Sequence, residues 1–109
     1  MHEVALAMEM LDLAVMRAES RRVTRVIVEI GAMSCVSADA LRFAFEVAAK
    51  DTVAEGAELE IAAIPVTATC RACGQMRRTT DPWARCPCGG LDLALEGGDE
   101  LRMKAIEVM

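Results

Sequence analysis

The 109-residue sequence has a single histidine, few glycines and prolines, and no apolar run approaching the ~20 residues that a bilayer-spanning helix needs. It does not open on a basic segment followed by an apolar core, so a secretory leader is not expected and a cytoplasmic location is. Basic residues are in deficit, twelve against seventeen acidic ones for a net charge of −5, a poor match for a polyanion held by counterion release. Neither nucleic acid nor membrane is therefore an expected partner; proteins or cations are. No nucleophile beside a base, no glycine loop that would cradle phosphate and no internal histidine is present, so the chain is not expected to be an enzyme. What remains is 54% hydrophobic and 27% charged, a globular composition rather than a disordered one.

Periodicity orders the chain. Val4, Ala7, Met8, Leu11, Ala14, Val15 and Ala18 recur at helical spacing, which predicts a helix over Glu3 to Ser20 with those residues as its buried stripe. VTRVIVEIG then alternates, with Val26, Val28 and Ile30 on one face, and reads as a strand ending at Gly31. Ser37 can cap a second helix that has Asp39 in its first turn and Leu41, Ala44, Phe45 and Ala48 as its apolar face; the pattern stops near Lys50 and Asp51. ELEIAAIP, after Gly56, predicts a second strand, and DELRMKAIEVM, after the Gly97–Gly98 turn, a third. Between them, from Val66 to about Glu96, the composition shifts to Thr, Arg, Gly and Cys, with too few large apolar residues for an independent core. The expected fold is α+β: two helices packed on a small three-stranded sheet, with an inserted zinc-ribbon-like domain. Its boundaries are 1–65 plus 98–109 for the main domain and 66–97 for the insert.

Five cysteines is an odd number, and Cys70, Cys73, Cys86 and Cys88 fall within nineteen positions, a grouping typical of a metal site rather than a disulfide framework. CRAC, twelve residues and CPC supply two thiolate pairs, and four sulfurs with no nearby imidazole suit tetrahedral zinc. A closed tetrathiolate leaves no position for water, so the zinc is structural. The second pair has only Pro87 as spacer, which tightens the chelate loop and contributes no N–H toward a thiolate. Cys35, among small and apolar residues, is expected to be a buried small hydrophobe. Arg71, Arg77, Arg78 and Arg85, with Trp83, keep a nucleic-acid-reading ribbon open as an alternative, as is a zinc-ribbon adaptor that docks proteins without delivering metal.

The lone histidine is His2. At that position the terminal amine of Met1, the backbone nitrogen of His2 and its imidazole can form fused chelate rings around one cation. The backbone nitrogen of Glu3 offers a fourth donor, in keeping with square-planar nickel(II) or copper(II), and the Glu3 carboxylate adds an oxygen for a six-coordinate ion.

With MHE at 1–3, VEIGAMSCV at 28–36, ALRFAFE at 40–46, TVAEGAELE at 52–60, the paired cysteines and GDELRMKAIEV at 98–108, the whole chain resembles the HypA/HybF nickel metallochaperones of [NiFe]-hydrogenase maturation. The resemblance implies nickel cargo at Met1, His2 and Glu3, with His2 the principal ligand, and structural zinc on Cys70, Cys73, Cys86 and Cys88. It also implies a maturation GTPase and the hydrogenase large subunit as partners of a monomer or weak homodimer. The chain departs from the family's C-P-x-C at C-P-C, which leaves open whether Cys88 reaches the metal or whether Cys35, a water or a carboxylate replaces it.

Overall fold

The computed structural model describes residues 2–109. The first helix, α1 (Glu3–Ala18), buries Ala7, Met10, Leu11, Ala14 and Ala18 along one stripe. This stripe is turned from the expected one: Val4 and Met8, counted as core from their spacing, are 60% and 55% exposed, and Met10 lies inside instead. The helix is apolar on most of its circumference, so periodicity identified a helix without deciding which apolar column its neighbour α2 would cover. It also stops two residues early, because Glu19 and Ser20 take left-handed backbone angles (φ 50° and 71°). Both the backbone N–H and the Nε–H of Arg21 then donate to the Ala18 carbonyl, satisfying an acceptor that the helix end leaves open.

β1 (Val23–Gly31) follows, with Val26, Val28 and Ile30 buried on one face as the alternation required. α2 (Ala38–Ala48) begins where expected: the Ser37 hydroxyl accepts the Ala40 N–H at 3.3 Å, and Leu41 and Phe45 are its buried residues. β2 (Glu58–Ile64) and the last strand, β6 (Leu101–Val108), flank β1 in the order β2-β1-β6. Arg25 on the central strand reaches Glu60 at 3.1 Å and Glu58 at 3.5 Å on one side and Glu107 at 3.6 Å on the other, the cross-strand charge pairing that favours this order.

A second sheet lies in the 66–97 insert, where the sequence pattern predicts no strand. β3 (Val66–Cys70) pairs antiparallel with β4 (Met76–Thr79) and β5 (Leu93–Glu96), with Thr69 opposite Met76 and Cys70 opposite Leu93. Its inner face consists of Val66, Ala68 and Cys70, small residues whose alternation is too faint to register as a strand. The α+β class, with two helices, a three-stranded sheet and a ribbon-like insert, is the one observed.

The chain divides into two compact units, one of Met1–Glu29, Val36–Ala62 and Arg102–Met109, the other of Ile30–Cys35 and Ala63–Leu101. In the second, Gly31 donates its N–H to Glu100 O at 2.7 Å, and a Cβ on Gly31 would lie 2.0 Å from Gly98 O. Only glycine permits that approach.

Candidate metal centre

Cys70 ends β3, and the chain turns at once: Gly74 N–H donates to Cys70 O at 2.8 Å, with Gly74 at φ 78°, and Cys70 N–H donates to Gln75 O at 2.9 Å. Cys73 sits on this turn. The second pair stands on a turn of its own, closed by Gly89 N–H to Cys86 O at 2.8 Å and by Cys86 N–H to Gly90 O at 3.4 Å, with Gly89 at φ 90°. The two turns bring four sulfurs together, all within 4.8 Å of one another. Cys70 Sγ lies 3.6 Å from Cys88 Sγ, and Cys73 Sγ 3.6 Å from Cys86 Sγ. Four sulfurs around zinc at ~2.3 Å would be spaced by ~3.8 Å, so the donor set fits a tetrahedral ion.

The one-residue spacer therefore brings Cys88 into the cluster, and the four-sulfur group does not include Cys35. Cys35 is also not the buried hydrophobe expected: it is exposed, in a left-handed conformation (φ 59°), its thiol directed to Met33 O at 3.8 Å. The turn that carries it displays the side chain outward, a consequence of backbone geometry that its apolar neighbours did not reveal.

Two features of the cluster do not follow from the cysteine spacing. Gly90 donates its N–H to Cys88 Sγ at 3.4 Å, and a Cβ there would lie 2.9 Å from Cys70 Sγ and 3.3 Å from Cys88 Sγ. The glycine following each pair, Gly74 and the Gly89–Gly90 doublet, was the available signal. Arg77 was the other: counted as a cation for nucleic acid, it donates from Nη2 to the Ala84 and Arg85 carbonyls at 2.9 and 2.7 Å. Arg71, likewise, faces Asp92 at 3.4 Å, so two of the four arginines are engaged within the chain.

The sulfurs do not share one electrostatic environment. The Cys73 backbone N–H, aided by that of Ala72 and by the Cys88 and Cys73 side chains, holds Cys70 down to about 7 against its burial. The Gly90 N–H favours the Cys88 thiolate, yet crowding by Cys86, Cys70 and Cys73 outweighs it and pushes Cys88 up to about 12. Four thiolates in van der Waals contact repel unless a cation lies among them.

At the other candidate site, Met1 lies outside the described residues. His2 is exposed at the N-cap of α1, its carbonyl accepting the Leu6 N–H at 2.9 Å and its side chain making no cap bond. Glu3 is buried instead, and its Oε2 accepts the Ser37 N–H at 3.0 Å. That amide belongs to the N-cap of α2, so a carboxylate from one helix completes the cap of the next.

A family model described as "Hydrogenase/urease nickel incorporation, metallochaperone, hypA" matches residues 1–108. This chain belongs to the HypA family. The hydrogenase maturation factor HypA of Nostoc punctiforme is 39% identical over 108 residues, covering 99% of this chain and 96% of that protein. The hydrogenase maturation factor HybF of Escherichia coli O157:H7 is 41% identical over 112 residues, covering 99% of each. The solution structure of the Ni metallochaperone HypA from Helicobacter pylori covers 100% of this chain and 98% of that one, with a TM-score of 0.64 at 22% identity, which shows a shared fold. The HypA family is one of nickel metallochaperones and maturation factors rather than catalysts, and the four-cysteine cluster of this member fits structural zinc. Among the described residues no helix is long and apolar enough to cross a membrane.

Proposed function

We propose that this chain carries Ni(II) at its amino terminus in the cytoplasm and delivers it to the large subunit of a [NiFe]-hydrogenase, acting with a maturation GTPase. The nickel ligands in this reading are the Met1 amine, the His2 imidazole and backbone nitrogen, and the backbone nitrogen of Glu3. Domain 1–65 plus 98–109 carries the nickel, and domain 66–97 holds zinc on Cys70, Cys73, Cys86 and Cys88. The chain works as a monomer or weak homodimer, with no nucleic-acid or membrane partner.

One observation supports the nickel assignment above the rest. In a family of nickel metallochaperones, this member keeps its only histidine exposed at position two, at the start of α1. The Glu3 carboxylate is held by the Ser37 amide, so the ligands in this reading are nitrogens. The mechanism is ligand exchange: a terminal chelate grips the ion while presenting it outward to the acceptor's ligands. Imidazole and amine bind only when deprotonated, so protons compete with nickel and acidification weakens its binding.

Calorimetric nickel titration of the zinc-loaded protein, beside the same protein extended by one amino-terminal glycine, tests this. Tight binding is expected for the native terminus and its loss on extension; equal binding by both proteins would remove the terminal amine from the site and the proposal with it.

A further inference from the structure

The segment 80–92, which carries Cys86 and Cys88, contains no strand or helix. Its first half is braced locally: Trp83 N–H donates to Asp81 Oδ1 at 3.0 Å, and Ala84 N–H to Asp81 O at 3.2 Å. Its far end is tied to the first cysteine turn by Arg71 N–H donating to Asp92 O at 3.0 Å. Between these, immediately before Cys86, the tie to the sheet is one side chain. Arg77 stands on β4, three residues after Gly74 closes the first cysteine turn, and its Nη2 bonds two successive carbonyls, Ala84 O and Arg85 O.

The second turn has a reason to need an external hold. In the first, backbone N–H groups of Ala72 and Cys73 support the Cys70 sulfur. In the second, the amides at the same offsets from Cys86 belong to Cys88 and Gly89; the Gly89 N–H is committed to Cys86 O at 2.8 Å, and the Gly90 amide serves Cys88. Cys86 is thus aimed by the position of its backbone, and that backbone hangs from the Arg77 guanidinium, a rigid planar group suited to holding two acceptors.

We propose that Arg77 is a positioning residue of the four-cysteine centre. It presets the approach of Cys86 and so takes over, in this shortened turn, the orienting work that backbone amides perform in the first. The inference rests on the reading of the cysteine cluster as a zinc site. A charge-assisted hydrogen bond lost from such a brace corresponds to about a tenfold or larger change in a rate or equilibrium constant.

The test uses the full chain loaded with zinc and compares wild type, Arg77→Met, Arg77→Lys and Arg78→Met, the last removing a neighbouring exposed arginine. Zinc transfer to a chromophoric chelator is expected to speed up about tenfold in Arg77→Met, less in Arg77→Lys, which keeps a charged donor group without the planar guanidinium, and not at all in Arg78→Met. Cobalt(II)-loaded Arg77→Met should show weakened thiolate-to-cobalt charge-transfer absorption. A glycine inserted between Pro87 and Cys88 should shrink the Arg77→Met effect, because a longer turn supplies its own amide. Wild-type zinc retention in Arg77→Met, or equal losses in Arg77→Met and Arg78→Met, overturns the proposal. So does a melting temperature lowered equally with and without zinc, since that marks a purely structural brace. Failure of the wild type itself to bind zinc removes the underlying site reading as well.

Discussion

Gly90 shows how a residue without a side chain can limit a site. The space where its Cβ would stand is the space through which Cys70 and Cys88 approach each other, with the Cys70 sulfur 2.9 Å from that point. Gly90→Ala is therefore expected to weaken zinc binding by about tenfold or more, because either a sulfur or the turn must move off its tetrahedral position. Competition with a chelator of known affinity checks this, and an unchanged constant would show that the turn yields freely. Gly74 and Gly89 relate to the site differently: both occupy left-handed backbone with open space beside them, so they serve the turns rather than the sulfurs. Cys35 belongs to the same scale. Its composition-based expectation failed because exposure is set by the direction of a Cα–Cβ bond, which neighbouring residue types do not report.

α1 and α2 are linked through their beginnings. Glu3 lends a carboxylate to the Ser37 amide while the Ser37 hydroxyl caps Ala40, so one cap is assembled from two helices. Ser37→Ala should cost about 1 kcal/mol and lower the melting temperature by about 4 °C without altering zinc content, as read by calorimetry beside metal analysis. The same arrangement bears on nickel. The positive end of the α1 dipole favours negative charge, which eases deprotonation of the amide nitrogens that the proposed chelate uses. The Ser37 cap was legible from Ser37 and Asp39, because a cap is local. The contribution of Glu3 was not, since thirty-four positions separate the two partners.

Across the whole molecule, the unit of Ile30–Cys35 and Ala63–Leu101 is expected to depend on a metal for its order. Its buried apolar residues are Ile30, Val66, Ala68, Cys70 and Cys86, little apolar surface to order a segment of this length alone. With the four sulfurs in this arrangement, Cys88 is pushed up to about 12 and keeps its proton at pH 7, whereas Cys70 is held down to about 7. Zinc uptake at pH 7 therefore displaces at least the Cys88 proton, and affinity falls as pH is lowered because protons compete for the same sulfurs. Calorimetry in two buffers of different ionisation enthalpy measures the protons released, and release of none would contradict the coupling. Read as a sequence, the chain already specified whatever depends on neighbours along the backbone. It specified β1 between Val23 and Gly31, the start of α2 at its serine cap, two cysteine pairs, and a single histidine at position two. The tertiary structure decided what depends on residues meeting across the chain. It chose which apolar column of α1 is covered, drew Cys88 within 3.6 Å of Cys70 despite the shortened spacer, and turned Arg77 from a surface cation into the brace of a loop. Periodicity and spacing are one-dimensional, whereas burial, sulfur geometry and the reach of a guanidinium exist only after distant segments have been packed together.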